Sequence, residues 1–203
     1  MVLELWDVLR RRKMVRSYRP DPVPPDVLER VLGSVVHAPS AGFTQGNEFL
    51  VLSDATAVAD FYRITDHPRW PLTDAERAVA APVVVLPLAN RDAYIARYSQ
   101  PDKLEYGLDD PDQWPVPFWD IDCAMASMLI LLAAIDCGLG SWFSGINHGE
   151  QALLDHFGVP PSFRPRGVIF LGYATERDEF ASPRDQIGAR RRPASALVHH
   201  GRW

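Results

Sequence analysis

The feature that most constrains the fold is an apolar segment that predicts the longest helix of the chain, from Phe118 to Cys137. Its C-terminal half carries apolar residues on every side of the helix: Met125, Met128, Leu129, Ile130, Leu131, Leu132 and Ile135. A helix of this kind has to be buried on all sides. A chain of 203 residues can bury one such helix as a monomer, but a dimer interface buries it more easily. The segment therefore favours a homodimer, and Gly138 is expected to end the helix.

Shorter apolar runs predict buried strands on both sides of this helix in the sequence. They cover residues 49–52, 83–86, 141–143 and 168–171. A one-sided apolar pattern predicts a helix over residues 27–36, and we expect further helices over residues 74–79 and 150–157. Helices and strands do not alternate strictly, which favours an α+β fold over a doubly wound parallel sheet. Because there is no internal repeat and no low-complexity linker, we expect residues 1–203 to form a single domain.

The segment from Arg91 to Pro117 is the hardest to interpret, because acidic residues alternate irregularly with aromatic ones. We expect a long loop here, and a loop of this length in a compact domain usually forms a lid or an excursion. As an alternative, the aromatic side chains pack the segment onto the domain. The aromatic residues are Tyr94, Tyr98, Tyr106 and Trp114.

Charge and composition narrow the class of partner. The formal net charge is −5, which argues against a protein that binds nucleic acid or an anionic membrane. The longest apolar run, Cys123 to Ile135, is too short to span a bilayer, and residues 1–12 resemble neither a signal peptide nor a transit peptide. His199 and His200 are adjacent and so lack the spacing of metal ligands. We expect a cytoplasmic protein without a metal site.

Three separate segments carry motifs. The first is Arg12-Lys13-Met14-Val15-Arg16-Ser17-Tyr18, followed by Pro22-Val23-Pro24; the second is Ala38-Pro39-Ser40-Ala41-Gly42-Phe43-Thr44-Gln45; the third is Arg190-Arg191-Arg192-Pro193, leading to Val198-His199. In this order they resemble three motifs of the nitroreductase family: Arg-Arg-Ser-x-Arg-x-Phe with Pro-Val-Pro, Ala-Pro-Ser-x-x-Asn-x-Gln-Pro-Trp, and a closing basic pair. The resemblance implies a nitroreductase-like fold: a central, mostly antiparallel sheet flanked by helices, dimeric through the long helix, with flavin sites shared between two chains.

The resemblance also implies FMN as cofactor and assigns residues to it. Arg12, Lys13, Met14 and Arg16 form the first motif, with Arg12 near the phosphate and ribityl chain and Arg16 at the pyrimidine edge of the ring. A fixed cation at that edge stabilises the anionic reduced flavin. Arg190 and Arg192 would bind the phosphate, which guanidinium groups suit. For all four arginines the alternative is a solvated basic surface.

Two further groups of residues complete the implied flavin site. Pro39, Ser40, Ala41 and Phe43 would contact the flavin from the partner subunit, whereas the alternative is an ordinary turn after a helix. Ser144 and Gly145 could offer a backbone N–H to flavin N5, because glycine permits close approach of the backbone. The alternative for Gly145 is a loop glycine. No side chain is expected to act as an acid or base, since the chemistry would take place on FMN.

The implied activity is a ping-pong transfer of hydride or electrons from NADH or NADPH to an electron-poor acceptor such as a nitroaromatic, a quinone or a flavin. Two alternatives stay open: a flavin- or cofactor-processing enzyme related to the 5,6-dimethylbenzimidazole synthases, and a flavin-binding protein without turnover. The departures from the family motifs bear on this choice. Met14 replaces serine, Phe43 replaces asparagine, and Gly46-Asn47 replaces Pro-Trp. From Phe43 and residues 91–117 we expect an aromatic-walled acceptor pocket that repels anions.

Overall fold

In the computed structural model, which describes residues 4–177, 180 and 190–203, a five-stranded sheet forms the centre of the fold. Its strands are β1 (Asn47–Leu52), β2 (Val83–Asn90), β3 (Gly140–Ser144), β4 (Phe163–Pro165) and β5 (Val168–Gly172). The order is β1-β2-β5-β3, with β4 also paired to β2, and every pairing between these strands is antiparallel. The predicted α+β architecture with an antiparallel sheet is confirmed. The sequence analysis missed β4, which has only three residues.

Helices flank the sheet: α1 (Leu5–Arg11), α2 (Pro25–Leu32), α3 (Ala55–Thr65), α4 (Asp74–Ala78), α5 (Arg91–Tyr98), α6 (Phe118–Asp136) and α7 (Glu150–His156). Local signals explain several of their ends. The Asp54 side chain caps α3 by accepting the backbone N–H of Ala57 at 2.9 Å. Thr73 and Glu76 form a reciprocal capping box at the start of α4. The helix predicted over residues 27–36 is divided, because α2 ends at Leu32 and a 3-10 turn continues over Gly33–His37.

The two faces of the sheet form two separate cores. On one face, α2 and α6 pack against Val83, Val85, Ile169 and Leu171. On the other face, α3 and α7 pack against Val84, Leu86, Val168 and Phe170. Strands β2 and β5 are therefore buried on both sides, which explains why they appear in the sequence as continuous apolar runs instead of alternating patterns.

Helix α6 buries only one of its sides within the chain. Its buried side includes Ile130, Leu131 and Ala134, whereas Met125 and Met128 are 37% and 45% exposed. The apolar residues Leu5, Trp6 and Leu9 of the neighbouring α1 are also exposed. By length and composition alone α6 could cross a membrane, but a core helix meets the same criteria. At its end the N–H groups of Gly138 and Leu139 bond to the carbonyls of Ile135 and Ala134, which makes Gly138 the predicted terminating residue.

The interpretation of residues 91–117 as one long loop is wrong. The segment begins with α5, which the Asn90 side chain caps, and continues with 3-10 turns at Leu104–Tyr106 and Pro111–Gln113. Tyr94, Tyr98 and Trp114 are buried in an aromatic cluster of their own. The structure thus agrees with the alternative in which aromatic residues pack the segment down.

Candidate functional site

The first motif lies along one end of the sheet, beside the edge strand β3. The backbone N–H of Val15 donates to the carbonyl of Ser141 at 2.9 Å, and that of Arg19 donates to the carbonyl of Tyr173 at 2.8 Å. A Cβ atom on Gly140 would lie 2.9 Å from a methyl carbon of Val15, so glycine is what allows this close packing. The main chain therefore fixes the position of the whole segment that carries the predicted flavin-binding residues.

Side chains of this segment point to different sides of the sheet. Met14 packs against the core under α2 and α6. The Arg16 guanidinium carbon lies 5.1 Å from the centre of the Trp142 ring, a cation–π contact on the opposite face. Arg16 also lines a cleft with Tyr18, Tyr62, Leu72, Glu76, Trp142 and Phe180. Burial raises the pKa of Tyr62, so its hydroxyl stays protonated in this cleft at neutral pH.

A second, cationic groove lies where α6 ends and β3 begins. It is lined by Arg11, Lys13, Val15, Ile135, Gly138, Leu139, Gly140, Ser141 and Ala174. A Cβ atom on Gly138 would meet nothing within 4 Å, so the space beside it is open. Arg12, between Arg11 and Lys13, is partly exposed. Sequence analysis did not assign Arg11 to the site, although its position next to Arg12 was a signal for it.

Ser144 and Gly145 lie at the far end of the same edge strand. The Ser141 carbonyl points away from β5 and toward Val15. Because the direction of the backbone N–H and C=O groups alternates from one residue of a strand to the next, those of Phe143 and Gly145 also point away from β5. Gly145 is exposed, and a Cβ atom there would make only an ordinary contact, 3.5 Å from Asn147 Oδ1. The structure thus brings Arg12–Arg16 and Ser144–Gly145 to one edge of the sheet.

The second motif forms a turn between α2 and β1, which we call the 38–45 turn. Three of its residues have left-handed backbone conformations: φ is +59° at Gly42 and +53° at both Phe43 and Gln45. The Ala41 N–H donates to the Asp122 carboxylate at 2.8 Å, and Arg97 Nε donates to the Gly42 carbonyl at 3.0 Å. Pro39 and Phe43 are exposed, while Ser40 and Ala41 are partly buried.

Within one chain, the 38–45 turn does not meet the first motif. It is tied to Asp122, near the start of α6, whereas the cationic groove includes Ile135, near the end of α6. At a rise of about 1.5 Å per residue, the thirteen steps between these two residues span roughly 20 Å. The predicted flavin contacts therefore form two groups at opposite ends of the same helix.

The third motif lies in the C-terminal segment. Arg190 and Arg192 are exposed, and Arg192 donates to the carbonyl of Ala196. Across residues 4–177, 180 and 190–203, no cluster of three or more His, Cys, Asp or Glu side chains could hold a metal ion.

Comparison with known proteins gives a consistent result. A model of the Nitroreductase family matches residues 9–173 of this chain. A protein of Archaeoglobus fulgidus, provisionally named NADH dehydrogenase/NAD(P)H nitroreductase, is 26% identical over 203 residues, which cover 98% of this chain and 99% of that protein.

Two solved structures are similar in fold. A Nitroreductase Family Protein from Streptococcus pneumoniae matches with a TM-score of 0.72 at 17% identity, over 97% of this chain and 99% of that one. A protein from Desulfovibrio desulfuricans, provisionally named a nitroreductase and solved in complex with FMN, matches with a TM-score of 0.68 at 19% identity, over 100% of this chain and 99% of that one.

Proposed function

Because the chain belongs to the nitroreductase family, we propose that it is an FMN-dependent oxidoreductase that uses NADH or NADPH to reduce an electron-poor small molecule. The predicted nitroreductase-like α+β fold is confirmed by the same match and by the solved relatives. The observation that carries the proposal is the row of cationic side chains along the free edge of β3, next to exposed backbone at Gly145. In this proposal residues 1–203 form one FMN-binding domain of a cytoplasmic protein.

The residues present fit the phosphate and ribityl chain of FMN. Arg12 would bind this end of the cofactor, and Arg11 and Lys13 line the adjoining groove with Gly138. Guanidinium groups form paired, charge-assisted hydrogen bonds with phosphate oxygens, which suits a dianion. Arg190 and Arg192 would add two more cations from the C-terminal segment. FMN carries one phosphate, so this set of arginines suits FMN better than a dinucleotide.

The ring of FMN would lie along the edge of β3. The Arg16 guanidinium would hold the pyrimidine edge, where negative charge develops on reduction, and Trp142 keeps that guanidinium oriented. The Gly145 N–H would donate to N5. Bound there, FMN would supply the redox chemistry that links NADH or NADPH to a nitroaromatic, a quinone or a flavin, in the ping-pong scheme that the family resemblance implies. The side chains bind, orient and exclude water.

We further propose that the protein is a homodimer with two shared flavin sites. The exposed apolar sides of α1 and α6 need a partner surface, since Trp6, Leu9, Met125 and Met128 are unfavourable in water. An antiparallel contact between two α6 helices brings the start of one helix beside the end of the other. The 38–45 turn of one chain would then approach the cationic groove of its partner, which joins the two groups that a single chain separates.

One alternative function has support from a particular residue pair. A Cβ atom on Gly46 would lie 2.6 Å from the Tyr94 ring, so proline, which the family motif has at this position, does not fit beside Tyr94. Gly46 and Tyr94 are therefore matched to each other. Since the motif with Gly42 and Phe43 resembles that of the 5,6-dimethylbenzimidazole synthase branch, a flavin-processing activity is the second candidate.

The absorbance spectrum of the purified protein, followed by anaerobic titration with NADH and with NADPH, tests both candidates. We expect a yellow protein whose extracted cofactor co-elutes with FMN and not FAD, and whose flavin band bleaches on addition of a nicotinamide. Colourless protein that also fails to bind added FMN contradicts the proposal. Loss of FMN in oxygenated buffer, without reduction of a quinone or nitroaromatic, favours the flavin-processing alternative.

A further inference from the structure

One acidic residue lies on the buried side of α6. Asp122 is 1% exposed, among the otherwise apolar or small side chains that face the sheet. A buried carboxylate is costly unless hydrogen bonds compensate it. Its presence in this helix therefore needs an explanation in terms of its hydrogen-bond partners.

Both partners of Asp122 come from other parts of the fold. Its Oδ2 atom accepts the backbone N–H of Ala41 at 2.8 Å and the hydroxyl of Tyr94 at 2.8 Å. Burial is the main cause that raises the pKa of Tyr94, and the hydrogen bond to the Asp122 carboxylate is the next. The Tyr94 hydroxyl therefore stays protonated and remains a hydrogen-bond donor. Through one oxygen atom, Asp122 connects α6 with the 38–45 turn and with α5.

The 38–45 turn has a conformation that must be held. Phe43 and Gln45 have positive φ, which residues other than glycine adopt only when their surroundings enforce it. Arg97 binds the Gly42 carbonyl, and Ser40 Oγ accepts the Gln45 N–H at 3.0 Å. The bond from Ala41 to Asp122 is the one that ties the turn to α6, while 77% of the Phe43 side chain stays exposed.

We propose that Asp122 is a positioning residue, which fixes the 38–45 turn on α6 in the conformation that binds flavin in the partner subunit's site. This inference rests on the proposed function. Asp122 acts through Ala41 and does not itself touch the flavin. A purely structural tie would change only the stability of the chain, whereas a positioning role also changes the affinity for FMN.

The test compares single hydroxyl or charge deletions in the full-length protein. FMN dissociation constants are measured by the quenching of flavin fluorescence for the wild type, Asp122→Asn and Tyr94→Phe. Tyr98→Phe is the matched control, because it removes the same hydroxyl one turn further along α5, where the ring abuts Gly42. We expect dissociation constants raised about 10-fold for Asp122→Asn and about 3-fold for Tyr94→Phe, and within about 2-fold of wild type for the control.

Amide hydrogen exchange of the FMN-free proteins provides a second readout that needs no cofactor. We expect faster exchange in Asp122→Asn over residues 41–45, with the rest of the chain near wild type. Wild-type affinity for FMN in Asp122→Asn overturns the proposal, even if the turn exchanges faster. Equal weakening by Tyr98→Phe also overturns it.

If Asp122→Asn fails to fold, Tyr94→Phe decides alone, and wild-type affinity in that variant overturns the proposal. A wild-type protein that binds no FMN refutes the proposed function instead. The exchange measurement then still shows whether Asp122 holds the turn.

Discussion

The segment around Arg16 and the 38–45 turn carry the two groups of predicted flavin contacts, but the fold holds them in different ways. Main-chain hydrogen bonds hold the first, from Val15 to Ser141 and from Arg19 to Tyr173. Side chains hold the second, chiefly Asp122 and Arg97. A main-chain attachment does not depend on which side chains the segment carries, whereas a side-chain attachment fails when one residue changes.

The two kinds of attachment also differ in how they accommodate residues that depart from the family motifs. Met14 stands where the motif has serine, and the bonds that hold the segment do not involve its side chain. Directly after the 38–45 turn, by contrast, the departure at Gly46 is matched by Tyr94, whose ring occupies the space that a larger residue would need. A substitution at Met14 can therefore leave these bonds unchanged, whereas one at Gly46 is coupled to Tyr94.

The largest effect should come from breaking the surface that would join the two groups. Met128→Asp puts a charge on the exposed apolar side of α6, and burying an unpaired charge in an interface costs about 3–5 kcal/mol. We expect a monomer that has lost its flavin, measured by light scattering and absorbance. Gln151→Glu, on α7 at the opposite face of the sheet, adds a charge as a control and should stay dimeric. A flavin-loaded monomer in either variant contradicts the shared site.

Arg16→Ala should have the next largest effect, because a charged hydrogen bond to the reduced ring is lost. We expect weaker FMN binding by about 1.5–3 kcal/mol, and a lower midpoint potential of the bound flavin. Arg16→Lys keeps the positive charge, so the midpoint potential of the bound flavin should stay closer to its wild-type value than the affinity for FMN does. Unchanged affinity and potential in Arg16→Ala would show that this side chain, in its cleft beside Trp142, does not face the ring.

A mixed dimer sharpens the same comparison. One chain carries Arg16→Ala and the other carries Asp122→Asn, with different tags to purify the pair. If the two groups act across subunits, one site combines both defects and the other site has neither, so half of the sites bind FMN with wild-type affinity. If both groups act within one chain, every site is defective and no high-affinity fraction appears in the titration.

Gly42→Ala should lower the stability of the protein and, because Gly42 lies in the 38–45 turn, should also weaken FMN binding. The new Cβ atom would lie 2.8 Å from the Tyr98 ring, at a residue whose φ is +59°. Strain and overpacking together should lower the free energy of unfolding by about 2–4 kcal/mol. Gly107→Ala is the control, since its φ is +64° but its Cβ atom would meet nothing. Urea unfolding should show a loss of only about 1 kcal/mol for Gly107→Ala. Equal losses in the two variants would mean that the 38–45 turn accommodates the new Cβ atom without overpacking.

The smallest effect concerns α4, whose Glu76 lines the cleft of Arg16. Thr73→Ala removes the capping box and should lower the free energy of unfolding by about 1 kcal/mol. The Thr73 backbone N–H, and after it the Thr73 hydroxyl, lower the pKa of Glu76, so the contribution of the carboxylate is present above pH 4.5 and is lost as the pH falls through the folded-state value. Urea unfolding should show a smaller difference between variant and wild type at pH 3 than at pH 7, because the bond from the Thr73 hydroxyl to the Glu76 carboxylate weakens on protonation, whereas the cap that Thr73 Oγ gives to the Glu76 N–H does not titrate.

Much of the fold could be predicted from the sequence because the signals were local. Continuous apolar runs marked β2 and β5, and Gly138 marked the end of α6. Helix α5 was missed because its buried residues, Tyr94 and Tyr98, are aromatic ones that pack against Trp114, and this cluster exists only after folding.

The candidate site divides in the same way. The basic residues of the first motif were assigned through their resemblance to the family motif, and their role in binding flavin stays a prediction. The role of Asp122 could not be recognised in this way, because an acidic residue near the start of a helix is ordinarily a solvated one. Its partner Ala41 is 81 positions away in the sequence, and no local pattern links a backbone N–H to a distant carboxylate.

The separation of the two groups along α6 has a consequence for cofactor retention. If each flavin needs both chains, binding of FMN and association of the subunits are linked equilibria, and each strengthens the other. Diluting the protein then releases flavin even when free FMN is held constant. The concentration of the protein would therefore set the fraction of chains that carry FMN. The cause is the length of α6, which keeps the two groups of flavin contacts apart within one chain.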